Sequence, residues 1–296
     1  MPTASAPAAG PDFEILAPER QRLPMVFNSP HSGHVYPAAF IAASRLSEQA
    51  IRRSEDSFVD ELFAPVVARG APLLKANFPR AWLDVNREPY ELDPGMFSGR
   101  LPSYANIRSV RVAGGLGTIA RIVSETEEIY ARPLAVEEAL SRIERVYKPY
   151  HAALGRLLSD TRAAFGLAVL IACHSMPSTV RGLVGRTRPD IVIGDRYGSS
   201  CAPGLADLVS DIFLRYGYSV SRNKPYAGGY ITEHYGKPAH GFHALQIEIN
   251  RALYLDEETL RRNENFERVR EDLAAVIDDL AAAFDGGLLG ERDAAE

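Results

Sequence analysis

Cysteine is nearly missing from this chain: Cys173 and Cys201 are the only two in 296 residues. Two thiols in a chain this long make no disulfide framework of the kind that staples small secreted domains, and a reduced, cytoplasmic setting is expected. No apolar run approaches the roughly 20 residues needed to span a bilayer, so no membrane partner is expected. Positive charge is not in excess either. The formal net charge is −5 with both signs interspersed, which argues against a nucleic-acid partner. Several catalytic signatures are missing. There is no His-Glu-x-x-His helix of a zincin and no Gly-x-Ser-x-Gly elbow of a serine hydrolase. Gly114-Gly115-Leu116-Gly117-Thr118 has neither the dinucleotide spacing nor the Gly-Lys-Ser/Thr of a phosphate loop. Met1 to Gly10, rich in Ala, Pro and Ser, lacks the basic and apolar regions of a signal peptide. It reads as the start of a disordered leader over 1–20.

What the chain does have is a repeated grammar of buried strand followed by histidine. Leu23-Pro24-Met25-Val26-Phe27 runs into Asn28-Ser29-Pro30-His31-Ser32-Gly33-His34, and Leu167 to Cys173 runs into His174-Ser175. Ligands of open α/β sheets bind beyond the carboxyl ends of strands, so His31 and His174 are taken as two walls of one site. Apolar spacing predicts helices over Gln49–Val67, Leu134–Phe165 (kinked or split at Pro149), Ala202–Tyr216 and about Glu257–Phe284. Short strands are expected at 72–76, 81–85, 190–195, 218–220 and 243–249. Arg181 to Arg186 reads as a mobile Arg/Gly segment, and Asn223 to Gly241 as a Gly/Tyr/His loop. Strands alternating with helices predict a single α/β domain, with helices on both faces of a mixed sheet.

The residues that suit chemistry follow from this placement. A hydrolytic zinc site takes three protein ligands and leaves a position for water. His31 and His174 supply two nitrogens. The third ligand should be a carboxylate near the first loop, Asp56 or Glu55, with His34 as the rival. Glu248 lies in the otherwise apolar Ala244-Leu245-Gln246-Ile247-Glu248-Ile249, where a carboxylate is costly unless paired or used; a general base is such a use. Arg87 and Arg251, at strand ends, suit bidentate binding of a substrate carboxylate, the alternative being a structural tie to neighbouring loops. Cys173 beside His174 does not make a nucleophilic pair, because adjacent strand residues point to opposite faces.

Motifs spread from about residue 22 to 284 resemble those of the N-formylglutamate amidohydrolases, the deformylases of histidine breakdown. They include the Asn28–Gly33 loop, Asp56 with Val59–Phe63, Asp84-Val85-Asn86-Arg87, Tyr147 to His151, Cys173–Pro177, Asn223–Tyr230 and Gln246–Arg251. The resemblance extends distantly to the zinc carboxypeptidases and aspartoacylases. It implies an α/β/α sandwich with a central mixed sheet over 21–284, followed by a frayed tail over 285–296. It also implies one zinc ion on His31, Asp56 and His174, since Asp56 belongs to the family's own motif, and Glu248 as base. Asn86, Arg87 and Arg251 are implied to hold substrate, with the Asn223–Tyr230 loop, including Asn223, Gly228 and Gly229, folding over it. The implied reaction is hydrolysis of a small N-acyl, above all N-formyl, amino acid. A different acyl group, a carboxypeptidase-like activity or a silent ligand-binding relative are the alternatives.

Overall fold

The structure, a computed structural model, describes residues 10–123, 127–179 and 188–285. Runs of Val, Ile, Leu and Ala set the strands of its main sheet. These are β1 (Phe13–Leu16), β2 (Met25–Ser29), β3 (Leu73–Ala76), β4 (Ala168–Met176), β5 (Ile191–Gly194), β6 (Val220–Arg222) and β7 (Phe242–Asn250). Their order is β1-β3-β2-β4-β7-β5-β6. The central pairs β3/β2, β2/β4 and β4/β7 are parallel, while β1/β3 and β7/β5 are antiparallel. Every residue of β2 and β4 is buried, as expected of central parallel strands covered on both faces.

The period of 2 along each strand divides the core into two layers. Val169, Ile171 and Cys173 of β4, with Leu245 and Ile247 of β7, pack under α3 (Val59–Phe63), α7 (Pro203–Arg215) and α9 (Phe266–Asp285). Ala168, Leu170 and Ala172, with Ala244, face α5 (Val136–Arg142) and α6 (Lys148–Phe165) on the other side. The result is the expected α/β/α sandwich on a mixed sheet, with the short helices α1 (Ala38–Ala43) and α4 (Val110–Ala113) in the connections between strands. Cys173 lies in the first layer, opposite His174.

Several local expectations are corrected. Residues 13–16, assigned to a disordered leader, form the edge strand β1 against β3. The helix expected over Gln49–Val67 is broken into α2 (Glu48–Arg52) and α3, because Phe58 takes a left-handed conformation at φ 65° and the Asp56 N–H bonds the His31 carbonyl at 3.0 Å. Residues 81–85 form turns rather than a strand. The Leu134–Phe165 pattern is split ahead of Pro149 as expected, into two α-helices joined by a π-helical turn at Ile143–Tyr147, with Pro149, which has no N–H to give, directly after that turn; Leu134 and Ala135 lie before the first helix. Residues 257–265 contribute part of a small hairpin, so α9 starts at Phe266 rather than near Glu257. The Arg181–Arg186 segment and the tail beyond 285 lie outside the described residues. Among the described residues, no helix is long and apolar enough to cross a membrane.

Candidate active site

The carboxyl ends of β2, β4 and β7 open into a cleft of about 940 Å³. The parallel register of β4 and β7 sets Glu248 directly beside His174. Both point to the face opposite Cys173, which the alternation of each strand requires. His31 comes from the loop after β2. Asp56 comes from the break between α2 and α3, tied to that loop by its own N–H.

His31, Asp56 and His174 converge, with their donor atoms within 4.8 Å of one another. Asp56 Oδ2 is 3.1 Å from His174 Nδ1 and 3.5 Å from His31 Nδ1. Its other oxygen, Oδ1, accepts from Ser175 Oγ at 3.2 Å and Arg251 Nη2 at 3.1 Å. One carboxylate oxygen is therefore anchored and the other left to the histidines. His31 is held from behind: its Nε2 donates to Asp84 Oδ1 at 2.7 Å, while its Nδ1 is buried with no hydrogen-bond partner. With Nε2 given to Asp84, the Nδ1 edge of a neutral His31 would meet a carboxylate oxygen lone pair to lone pair, a contact that a proton or a bound cation relieves. A carboxylate behind a ligating imidazole is also the usual support of a metal histidine. The residues present fit a divalent ion on this observation. His174 donates its Nδ1 proton to Asp56 here, so ligation through that atom releases a proton.

The rival third ligands are engaged elsewhere. Glu55 accepts from Arg52, from Ser57 and, at 2.6 Å, from the Tyr36 hydroxyl. His34 is exposed to solvent. The electrostatics follow the geometry. Burial pushes the Asp56 carboxyl up, but the hydrogen bond from His174 and the nearness of both imidazoles outweigh it and hold the group well below the usual range. Burial pushes His174 down to about 4. Glu248 is raised well above the usual range, first by burial and then by the charge of Asp56, against the pull of Arg80, Arg251 and Arg188. Gln246 fixes it, donating from Nε2 to Glu248 Oε1 at 2.6 Å while its own oxygen accepts the Gly229 N–H at 3.1 Å.

The remaining predicted residues divide. Asn86 lines the cleft, but its amide is committed: Oδ1 accepts the Ile231 N–H at 2.8 Å at the start of α8 (Tyr230–Tyr235), and Nδ2 contacts His174 Nε2 at 3.3 Å. Gly229 allows this approach, since a Cβ there would lie 2.3 Å from Asn86 Nδ2. Gly228 and Gly229 both line the cleft, Gly228 at φ 119°. Arg87 lines it too, with Nε on the Leu116 carbonyl and Nη1 on the Asn86 carbonyl. Arg251 has a protein acceptor for each nitrogen: Ser175 Oγ, the Arg53 carbonyl and Asp56. Asn223 does not line the cleft; it braces the loop after β5 through Asp195, at 2.7 Å.

The sequence profile of the N-formylglutamate amidohydrolase family matches residues 23–255. The chain belongs to the N-formylglutamate amidohydrolase family. A crystal structure of N-formylglutamate amidohydrolase from Ralstonia eutropha JMP134 superposes with a TM-score of 0.87 at 38% identity, covering 93% of this chain and 99% of that one. The N-formylglutamate deformylases of Pseudomonas putida and Pseudomonas aeruginosa are 30% and 29% identical, over 88% and 83% of this chain and 90% and 87% of theirs.

For an amidohydrolase of this family, the site also holds residues that the linear pattern did not single out. Seven arginines line the cleft, against four carboxylates, in a protein of net charge −5. Arg80 and Arg188 are legible in the sequence only as isolated polar residues, and Gln246 only as the first residue of the Gln246–Arg251 motif, with no role attached. The one available signal was the density of arginine near strand ends, and that does not say which of them meet.

Proposed function

We propose that this amidohydrolase cleaves N-formyl-L-glutamate to formate and L-glutamate, using one divalent ion, zinc, held by His31, Asp56 and His174. The observation that carries the reading is the orphaned Nδ1 of His31, which faces Asp56 and His174 in a buried cluster beside Glu248. When bound, such an ion lowers the pKa of a bound water and polarises a carbonyl oxygen. Glu248, kept short of solvent and raised in pKa, accepts the proton of the attacking water. It then returns that proton to the amine nitrogen as the C–N bond breaks. Arg80, tied to Asp84 at 2.8 Å on the cleft wall, offsets negative charge growing on the formyl oxygen. Arg87 keeps a positive charge at the wall for a substrate carboxylate, while Asn86, Gly228 and Gly229 shape the end of the cleft. Arg251 acts through Asp56, which it holds in place.

The excess of arginine suits a dianionic substrate. Its product, glutamate, and the two buried free cysteines fit a cytoplasmic enzyme at the end of histidine breakdown. The test is formate release from N-formyl-L-glutamate by purified protein, with metal content measured before and after chelation. About one zinc per chain, and activity lost on chelation and restored by metal, is the expected result. Metal without formate release redirects the search to N-acetyl and N-succinyl amino acids and dipeptides. A protein that neither holds nor responds to any divalent ion overturns the reading.

A further inference from the structure

Six of the seven cleft arginines have a carboxylate partner. Arg80 and Arg87 meet Asp84 at 2.8 and 3.6 Å, and Arg251 meets Asp56 at 3.1 Å. Arg53 meets Glu127 at 2.9 Å, Arg111 meets Glu91 at 3.7 Å and Arg196 meets Glu233 at 2.8 Å. Among the described residues, Arg188 alone has none within 4.0 Å, although its charge is felt by Glu248. Its Nη1 donates to the Tyr226 hydroxyl at 2.7 Å, and its guanidinium lies 5.4 Å from the centre of that ring. Its Nε is buried and has no hydrogen-bond partner. A part-buried cation with a phenol on one side and an unused donor on the other is costly unless an anion completes it.

The position of Arg188 is fixed relative to the reacting centre. Asn250, two residues beyond Glu248 on β7, donates from Nδ2 to the Pro189 carbonyl at 3.3 Å and to the Arg188 carbonyl at 3.5 Å. Its backbone N–H bonds the Asp190 carbonyl at 2.8 Å. Tyr226 belongs to the same cleft wall as Gly228 and Gly229. The strand that carries the base therefore also carries the brace for this arginine.

We propose that Arg188 and Tyr226 form a carboxylate subsite that reads the side-chain carboxylate of an acidic N-formyl amino acid. Tyr226 takes Nη1, and among the described residues no acceptor meets Nε, so the planar guanidinium keeps donor capacity of the kind that carboxylates pair with. Arg87 is less suited to this task, because its Nε and Nη1 already hold backbone carbonyls. The proposal deepens the reading of the reaction and rests on it: the site selects the charge at the end of the side chain, not only its length.

The test compares kcat/KM for N-formyl-L-glutamate and its neutral isostere N-formyl-L-glutamine in the zinc-loaded enzyme and its Arg188→Gln, Arg188→Lys and Tyr226→Phe variants. Wild type should prefer the glutamate substrate, and Arg188→Gln should lose roughly 10²-fold on it while changing little on the glutamine substrate. Arg188→Lys should recover part of the loss, and Tyr226→Phe should raise KM for the acidic substrate alone. These two variants keep the test open if Arg188→Gln does not fold. An equal fall on both substrates, or preference kept in Arg188→Gln, overturns the proposal. Calorimetric binding of glutarate separates the two readings. Arg188-dependent binding without formate release leaves the subsite standing and removes the reaction. Formate release with no Arg188-dependent discrimination does the reverse.

Discussion

Replacing Asp84 by Asn tests the idea that the site is held from behind. Asp84 is 3% exposed, and four groups converge on it, Arg87 at 3.6 Å being the most distant. Its Oδ1 accepts His31 Nε2–H at 2.7 Å and the Asn86 N–H at 2.8 Å, and its Oδ2 accepts Arg80 Nη2 at 2.8 Å. Burial pushes its carboxyl up, but the charges of Arg87, His31 and Arg80 hold it well below the usual range. Asparagine keeps the shape and one acceptor. If that acceptor stays with His31, the amide NH2 faces Arg80, donor against donor. Breaking a buried charge pair costs about 3–5 kcal/mol. The Arg80 side chain is 23% exposed, so water recovers part, and the expected loss of stability is about 2–3 kcal/mol. His31 also loses the carboxylate that makes its ring a stronger ligand, so zinc affinity should fall roughly 10–100-fold. Urea unfolding of the metal-free protein reads the first quantity, and zinc competition with a chromophoric chelator reads the second. Wild-type zinc affinity beside a loss of stability would refute the supporting role and leave Asp84 as a tether for Arg80. Wild-type values of both would refute the network argument altogether.

Other expectations follow from the same contacts. Glu248→Gln should retain zinc and lose about 10³-fold or more in kcat; turnover within a few-fold of wild type in a zinc-loaded variant would remove Glu248 as base. His151, held by the Val85 carbonyl at 2.9 Å and the Tyr235 hydroxyl at 3.0 Å, is pushed by burial from 6.5 down to about 4. Between those values the unfolded chain binds the proton and the folded one does not. Stability therefore falls as the pH drops from 6.5 to 4, by up to about 3 kcal/mol from this group. Buried His174 adds a limb of the same sign in metal-free protein, so the measurement is the difference between wild type and His151→Gln, and parallel pH profiles would contradict the assignment. Gly229→Ala places a Cβ 2.3 Å from Asn86 Nδ2 and 2.5 Å from its Oδ1. The displaced amide gives up the Ile231 N–H, and a loss of about 1–3 kcal/mol with a lowered kcat is expected; an unchanged melting temperature would show that Asn86 has room to move.

The sequence by itself determined the central strands and their faces, though not the edge strand at 13–16 or the turns at 81–85. Leu167 to Cys173 is apolar throughout, so it reads as a central strand, and a period of 2 then sends Cys173 into the core and His174 toward a ligand. The lone carboxylate in Ala244–Ile249 marked Glu248 for the same reason. These are local patterns, and the backbone enforces them wherever the strand lies. Tertiary structure alone decided which polar groups meet. The helical spacing of 49–67 is real, but contact with the His31 loop breaks that helix and turns Asp56 inward, while Glu55 turns away to Arg52 and Tyr36. Arg251 and Asp56 are 195 positions apart, and their pairing commits an arginine that the strand-end pattern offers to substrate. Arg188 stands out only by subtraction, once the six other cleft arginines are seen to have carboxylate partners. Hydrophobic periodicity is written along the chain because each residue meets the core through its own backbone. Charge pairing is not, because it depends on distances between segments that only the packed sheet brings together.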